Sequence, residues 1–451
     1  MPLRSILSIF ASLLAAVFLV LIASNTVKAG SQPPAGPVSK YDESMEKAGG
    51  ERRGPVKDWQ HYWKDGLRID SPENNFRIKI NLSVMVDGGY VEADDELQGA
   101  FPNLDGPNVG FRQLRISTLG TLYDWAEFKL DIDFDNVSDI KDAWIRFSKI
   151  PYIGHITLGH MDEPFSLEEL TSRKAITFLE RSLPTVAFTP GRNIGISRHT
   201  AALNQRMTWA VGAFFNMDSF DDVGNSKDQL TKPNGWNLTG RITGLPSYLD
   251  DGRRLLHLGL SYTHKFGDRD DIGVRVRTRP ESRLTDDRLV DTGEYLMDSA
   301  DLVATEFAFV NGPLSFQGEY FHTFADAGTL GKPDFWGFYL FGSFFITGEH
   351  RNYDTRSGTF IRSKPKNNFC PRKGGWGAWE LACRFSFIDL NDEGIRGGKE
   401  ASVTAGLNWY LNRKTRFMVN YIRSNVKDRE TSPSFDSGRA DIFQARFQIE
   451  F

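Results

Sequence analysis

The sequence predicts an all-β chain: a transmembrane antiparallel β-barrel of about sixteen strands, narrowed by one loop folded inward. Three observations carry this. The last residues alternate strictly, with Phe443, Ala445, Phe447, Ile449 and Phe451 on one parity and Gln444, Arg446, Gln448 and Glu450 on the other. Successive side chains of a strand point to opposite faces, so this strand has one apolar and one polar face. The same two-residue period recurs along the chain, behind a leader of the secretory kind. Together these describe a wall with hydrocarbon outside and water inside.

Composition agrees. Mean hydropathy is −0.38, too polar for a bundle of membrane helices, whereas a barrel keeps its polar half in the lumen. Aromatics make up 13% of the chain and glycines number 42, which suits many aromatic-flanked strands and turns. The formal charge is −4, and removal of residues 1–29 with Arg4 and Lys28 gives −4 − 2 = −6. Nothing in that balance suggests a nucleic-acid partner. Two cysteines, Cys370 and Cys383, exclude a disulfide scaffold. Cys383 shares the apolar parity of Leu381, Phe385 and Phe387, as a small lipid-facing hydrophobe would, and a single disulfide stays open.

Residues 1–29 read as a signal peptide: Arg4, an uncharged apolar run from Ile6 to Ser24, and the cleavage motif Val27-Lys28-Ala29. The alternative is an uncleaved anchor. Residues 30–75 read as a polar periplasmic lead-in whose Trp59, Tyr62 and Trp63 tuck against the barrel rim. The barrel is expected over 76–451. Its first strand puts Phe76, Ile78, Ile80, Leu82, Val84 and Val86 outward and Arg77, Lys79, Asn81, Ser83 and Asp87 inward. The clearest strand sets Phe128, Leu130, Ile132 and Phe134 against Glu127, Lys129, Asp131 and Asp133. Other strands are expected at 111–121, 140–148, 153–161, 194–202, 206–215, 236–244, 254–265, 302–311, 313–323, 335–348, 376–388, 399–411, 415–424 and 440–451. Short turns such as Asn204-Gln205, Asn311-Gly312 and Asn412-Arg413-Lys414 then fall on the periplasmic side and long loops outside. Segment 349–375 breaks the pattern, since the register puts it on the periplasmic side despite its length.

Two segments look able to shape the lumen. The first is 162–193, too long for an idle loop. Ser166-Leu167-Glu168-Glu169 is a capping box, and Leu170 to Leu179 continues with helical spacing. Folded inward, it brings Arg173, Lys174, Arg181 and Arg192; left outside, it is a solvated flap. The second is the row Arg275, Arg277 and Arg279, which shares one face if extended. Guanidinium forks suit phosphate and carboxylate. The row reads equally as an anion path through a pore or as a basic loop at the surface. The lining also holds Arg77, Lys79, Arg115, Arg146 and Arg241 against Glu127, Asp131, Asp133 and Asp142, so parity alone leaves a general or cation-preferring pore open. No G-x-S-x-G, H-E-x-x-H or metal-spaced cluster occurs among residues that include eight histidines, which argues against a hydrolase on the barrel and against any cofactor or metal.

Several blocks resemble the phosphate-selective porin O and P family: Phe111-Arg112-Gln113-Leu114-Arg115-Ile116, Phe128 to Phe134, Ile140 to Ile145, Gly159 to Ser172, Phe178-Leu179-Glu180-Arg181, and Arg275 to Glu281. The likeness spans roughly residues 66–451. It implies a bacterial outer-membrane porin, a water-filled diffusion channel working as a homotrimer in lipid and lipopolysaccharide and passing small anions such as phosphate, pyrophosphate or polyphosphate. It implies ladder roles for Arg275, Arg277 and Arg279, and pore roles for Lys174 and Arg181 on the constriction loop. Asp142 would be the wall aspartate opposite Lys174, and Arg115 a wall arginine near the constriction. The chain departs from the best-known members in having Leu114 before Arg115 where they carry adjacent basic residues.

Overall fold

The computed structural model describes residues 58–135, 139–150, 154–215, 235–266 and 274–451. The expected signal peptide and most of the lead-in lie outside these residues. Sixteen strands form the barrel: β1 (Phe76–Ala93), β2 (Gly106–Leu122), β3 (Ala126–Asp133), β4 (Asp139–Ile150), β5 (Gly154–Asp162), β6 (Arg192–Ala202), β7 (Met207–Phe215), β8 (Trp236–Leu249), β9 (Arg254–Phe266), β10 (Ser299–Asn311), β11 (Leu314–Asp326), β12 (Asp334–Phe345), β13 (Ala378–Asp392), β14 (Ile395–Tyr410), β15 (Thr415–Arg429) and β16 (Phe435–Glu450). Each pairs antiparallel with the next, and β16 pairs with β1 from Ala440↔Ala93 to Glu450↔Ser83. The sheet is closed, as the alternation requires.

Closure ends at a shared point. Phe451 and Leu82 exchange backbone hydrogen bonds of 2.8 and 3.0 Å, after which β1 runs on without β16. A hairpin of Gln60–Trp63 and Leu67–Asp70 takes over that free edge, with Leu67↔Ile80 through Asp70↔Arg77. Trp59 meets Phe76 edge-on at 6.0 Å, a single ring contact that leaves more than half of its surface exposed. Trp63 stays exposed.

Outward faces are apolar and rimmed by rings. At the end carrying the C-terminus, Trp379, Trp409 and Phe417 stack in a row at 5.0 and 5.9 Å, and Phe447 lies tilted against Phe417 at 4.8 Å, so the row crosses four strands. At the opposite end, Trp236 stacks on Phe266 at 3.7 Å. Cys383 is exposed among the outward residues, and both cysteines are free thiols.

The inward face is less uniform than alternation suggests. On β12 the inward residues Phe335, Tyr339, Phe341 and Phe345 are all buried, although they face the lumen. Phe335, Tyr339 and Phe341 belong to a dry core inside the barrel, shared with Phe165, Phe178, Leu183 and Phe188 of 163–191 and with Val274, Val276, Leu284 and Leu289 of 274–298, while Phe345 packs with Ala378 and Tyr410. The lumen beside β11–β16 is therefore packed rather than filled with water.

Glycines let these loops approach the wall. A Cβ on Gly337 would lie 2.9 Å from Pro184 Cβ, and one on Gly397 would lie 2.9 Å from the Thr292 amide nitrogen. Segment 346–377 sits at the C-terminal end, as the register demanded, and folds back into the barrel instead of hanging below it.

The outward assignment predicts the cost of a misplaced charge. Ala405, midway along the outward apolar run of β14, converted to arginine lowers the unfolding free energy by about 2–4 kcal/mol, read from urea titration in lipid vesicles. An unchanged midpoint would mean that this face does not meet hydrocarbon.

Candidate functional site

Three segments meet inside the barrel, and wall side chains hold each. Segment 163–191 starts with the expected cap: Ser166 Oγ accepts from the Glu169 amide at 3.2 Å. The wall strengthens it, because the Glu319 carboxylate accepts the amides of Leu167 and Glu168 at 2.8 and 2.7 Å. An anion is favourable at that terminus. The helix stops at Leu170, short of the expected 179. Arg181 explains the stop. Its guanidinium donates to the carbonyls of Glu168, Glu169 and Thr171, and it pairs with Glu169 at 3.1 Å. A second helix, Leu183–Phe188, follows with Pro184 in its first turn.

The irregular stretch between the helices would leave carbonyls unpaired without help. The wall supplies donors. Arg416 donates to Ile176 O at 2.8 Å, Asn408 to Thr177 O at 2.8 Å, and Arg446 to Leu179 O at 2.6 Å. Arg446 also pairs with Asp87 and Glu180, both at 2.6 Å. Glu180 takes a second guanidinium, bidentate, from Arg112 at 2.6 and 2.9 Å. Burial by itself would raise the Glu180 carboxyl; Arg112 and Arg446 outweigh it and hold the group well below the usual range.

Segment 274–298 enters the same space, which places the arginine row inside the barrel rather than on its surface. Val274 bridges Tyr295, and Arg277–Thr278 pairs with Val290–Asp291. Val274, Val276 and Thr278 are buried, Arg275 and Arg277 between them are half-buried, and Arg279, just past the paired residues, is buried. Arg275 grips Asp291 bidentately at 2.6 and 2.5 Å, and Arg279 reaches the exposed Asp286 at 2.9 Å. Beyond the row, Glu281 pairs with wall Arg384 at 2.5 Å, and Gln444 and Asn108 donate to Glu281 O and Leu284 O at 3.2 and 2.7 Å.

The third segment, 346–377, rises from the other end. Arg351 lies 3.7 Å from the Phe360 ring and donates to Gln317 at 2.9 Å. The Tyr353 hydroxyl and His257 Nδ1 share a hydrogen bond of 2.7 Å, and Arg241 donates to Gly358 O at 2.9 Å. A cavity along β4–β8 is lined by Asp142, Arg146, His155, His199, Arg241 and Arg356 together with Leu170 and Ser357 of the inserted segments.

Cations gather where the loops meet the wall. Arg115 pairs with Asp133 at 2.8 Å, and Lys129 with Asp142 at 2.5 Å. Asp142 also receives Arg192 at 3.2 Å. The resemblance set Lys174 opposite Asp142; the ammonium instead meets Glu450 at 2.9 Å, because 171–182 is pinned to β14–β16 by the carbonyl bonds above. Two residues were missed from sequence. Arg112 sits at a β-bulge, where Met85 pairs Gln113 and Val86 pairs Phe111, so it turns inward next to Gln113 despite the strict parity of Leu114 and Ile116. Arg283 lies near Arg112 and Arg279, and burial followed by those two charges pulls it down to about 9. A guanidinium keeps its proton, so the shift marks a spot of excess positive potential. No sequence period links Arg112, Arg279 and Arg283; only the inward fold of 274–298 joins them. Among the described residues no group of three or more His, Cys, Asp and Glu could hold a metal ion.

The family described as phosphate-selective porin O and P matches residues 84–451. An uncharacterized protein of Caulobacter vibrioides is 28% identical over 95% of this chain and 81% of its own length. Porin O of Pseudomonas aeruginosa is 24% identical over 86% of this chain and 91% of its own. Among solved structures, the outer membrane channel DcaP of Acinetobacter baumannii superposes with a TM-score of 0.49 at 12% identity, covering 83% of this chain and 98% of that one.

Glu180 supplies a test of how the loop is held. Replacing it by glutamine leaves Arg112 and Arg446 less compensated and costs about 3–5 kcal/mol in urea unfolding. The pH profile follows from the lowered folded value. The carboxylate's contribution is complete above the ordinary glutamate value of about 4.3 and fades as acid carries the pH down through the folded value. Melting temperatures recorded from pH 7 to pH 3 should fall more steeply for the wild type than for E180Q; parallel curves would dismiss this carboxylate as the holder.

Proposed function

The chain belongs to the phosphate-selective porin O and P family, and from that premise we propose that it forms an outer-membrane diffusion channel that prefers anions, phosphate, pyrophosphate or polyphosphate among them. The observation that carries the preference is the arginine row. Arg275, Arg277 and Arg279 alternate along a segment folded into the lumen, and Arg283, with Arg279 and Arg112 nearby, adds to the positive charge there. Inside a bore, such a row replaces hydration water around an anion with charge-assisted hydrogen bonds and passes it along. Lys174, Arg181, Arg115 and Asp142 are the other residues proposed for the pore, with Arg181 acting through the shape of the loop, since its donors go to loop carbonyls.

One observation favours a second reading, a general or cation-preferring pore. Arg275, Arg279, Arg115, Lys129 and Lys174 each contact a carboxylate. Such pairing lowers the field that an entering anion feels.

A homotrimer is part of the proposal. β3 has eight residues, short of the ~9–11 needed to cross hydrocarbon. A low wall of that kind fits a face covered by protein rather than lipid. Export through a cleaved signal peptide completes the reading.

Planar-bilayer recording separates the two selectivities. In a potassium chloride gradient the reversal potential should carry the anion sign, and millimolar phosphate should block the current. Arg275→Ala with Arg277→Ala and Arg279→Ala should raise the half-blocking concentration by about tenfold or more, since charge-assisted hydrogen bonds contribute roughly 1.5–3 kcal/mol each. A cation-signed potential indifferent to the triple change would establish the second reading instead.

A further inference from the structure

The outward wall of β13–β16 carries charges that the pore does not use. On β14 the outward residues Trp409, Leu407, Ala405, Val403 and Ala401 are apolar, and the next is Lys399. On β15 the outward Phe417, Val419 and Tyr421 give way to Arg423, Asn425 and Lys427. On β16 the outward Phe447, Ala445 and Phe443 give way to Asp441 and Arg439. The four cations thus begin where the apolar band ends, at the end of the barrel away from the C-terminus. A charged side chain costs roughly 2–4 kcal/mol at the bilayer midplane and little at the interface, so this height is where they can stand.

Their arrangement is specific. Asn425 lies opposite Arg439 on β16 and Ala401 on β14, with Arg423 and Lys427 two residues to either side of it. Lys399 stands directly across from Lys427. Like charges directly opposite one another destabilise a sheet, so this pair calls for an anion. Two carboxylates answer only part of the charge. Asp389 meets Lys399 at 3.1 Å, and Asp441 meets Arg423 at 2.7 Å and Arg439 at 3.4 Å; Glu92 faces Asp441 from β1. Lys427 is exposed and forms no ion pair among the described residues.

We propose that Lys399, Arg423, Lys427 and Arg439, set around Asn425, bind a phosphate of an outer-leaflet lipopolysaccharide head group. Phosphate presents several strong acceptors at the depth where these donors lie, and the aromatic rim of Tyr421 and Phe443 below takes the first carbons of the acyl chains. Longer loops face the outside in barrels of this class, which turns this end of the wall to the leaflet that holds lipopolysaccharide. The patch is separate from the lumen, so the proposal stands whichever selectivity the channel has.

The test uses the full folded protein in detergent, titrated with bis-phosphorylated lipid A and with lipid A stripped of its phosphates, and read by native mass spectrometry. The wild type should hold the phosphorylated lipid at least about tenfold more tightly than the stripped one. K399S/R423S/K427S/R439S should lose that difference while keeping the single-channel conductance and the gel mobility of a folded barrel. K399R/K427R, which keeps the charge, should retain it. Equal binding of both lipids to the wild type, or an unaltered preference in the quadruple variant, would overturn the proposal. So would full displacement by millimolar inorganic phosphate, which would mark a site for the free ion, or dissociation of the oligomer in the quadruple variant, which would assign the patch to a subunit contact.

Discussion

Hydrocarbon offers no partner to a peptide group, so a sheet that meets it must leave no edge. The pairing of β16 with β1 satisfies that demand, and the remainder of the molecule is arranged around it. Because the ring closes, side chains of every strand alternate between an apolar exterior and an interior sealed from lipid. The interior then becomes the place where charge can be concentrated. The residues buried there include Arg384, Arg446 and Lys265, each less than 2% exposed.

Buried charge is costly unless it is paired and hydrogen-bonded. The lumen meets this by using its arginines as donors to irregular backbone. Arg416, Arg446, Arg384 and Arg429 each reach a carbonyl of an inserted segment, while Glu319 caps a helix from the wall. Segments without regular structure of their own can therefore lie inside the barrel with their polar groups satisfied. The dry cluster around Phe178, Phe335 and Phe341 adds apolar burial on the same side, and a cavity lies along β4–β8.

This division sets what the sequence could reveal. Period-two alternation is a local property, so strands such as Phe128–Asp133 and the closing strand were legible residue by residue. Where the lumen face is covered by a loop the signal fades: β12 reads as nearly continuous aromatic sequence because both of its faces are apolar. The arginine row was legible as a row, but not its placement. Its position depends on contacts such as Gln444 with Glu281 and Asn108 with Leu284, more than 160 residues apart in sequence. The helix expected to reach 179 ended at 170, where the Arg181 guanidinium folds back onto its carbonyls. Arg112 was hidden by a one-residue bulge, which parity cannot register. Residues 1–57 lie outside what the structure describes.

Glu450, the last paired residue of the wall, accepts Lys174 from the segment that descends from one mouth and Arg362 from the segment that rises from the other. Two stoppers entering from opposite ends thus hang on one peg. Withdrawing either would leave a buried carboxylate with a single cation, and the peg stands next to the seam where the ring is sewn shut.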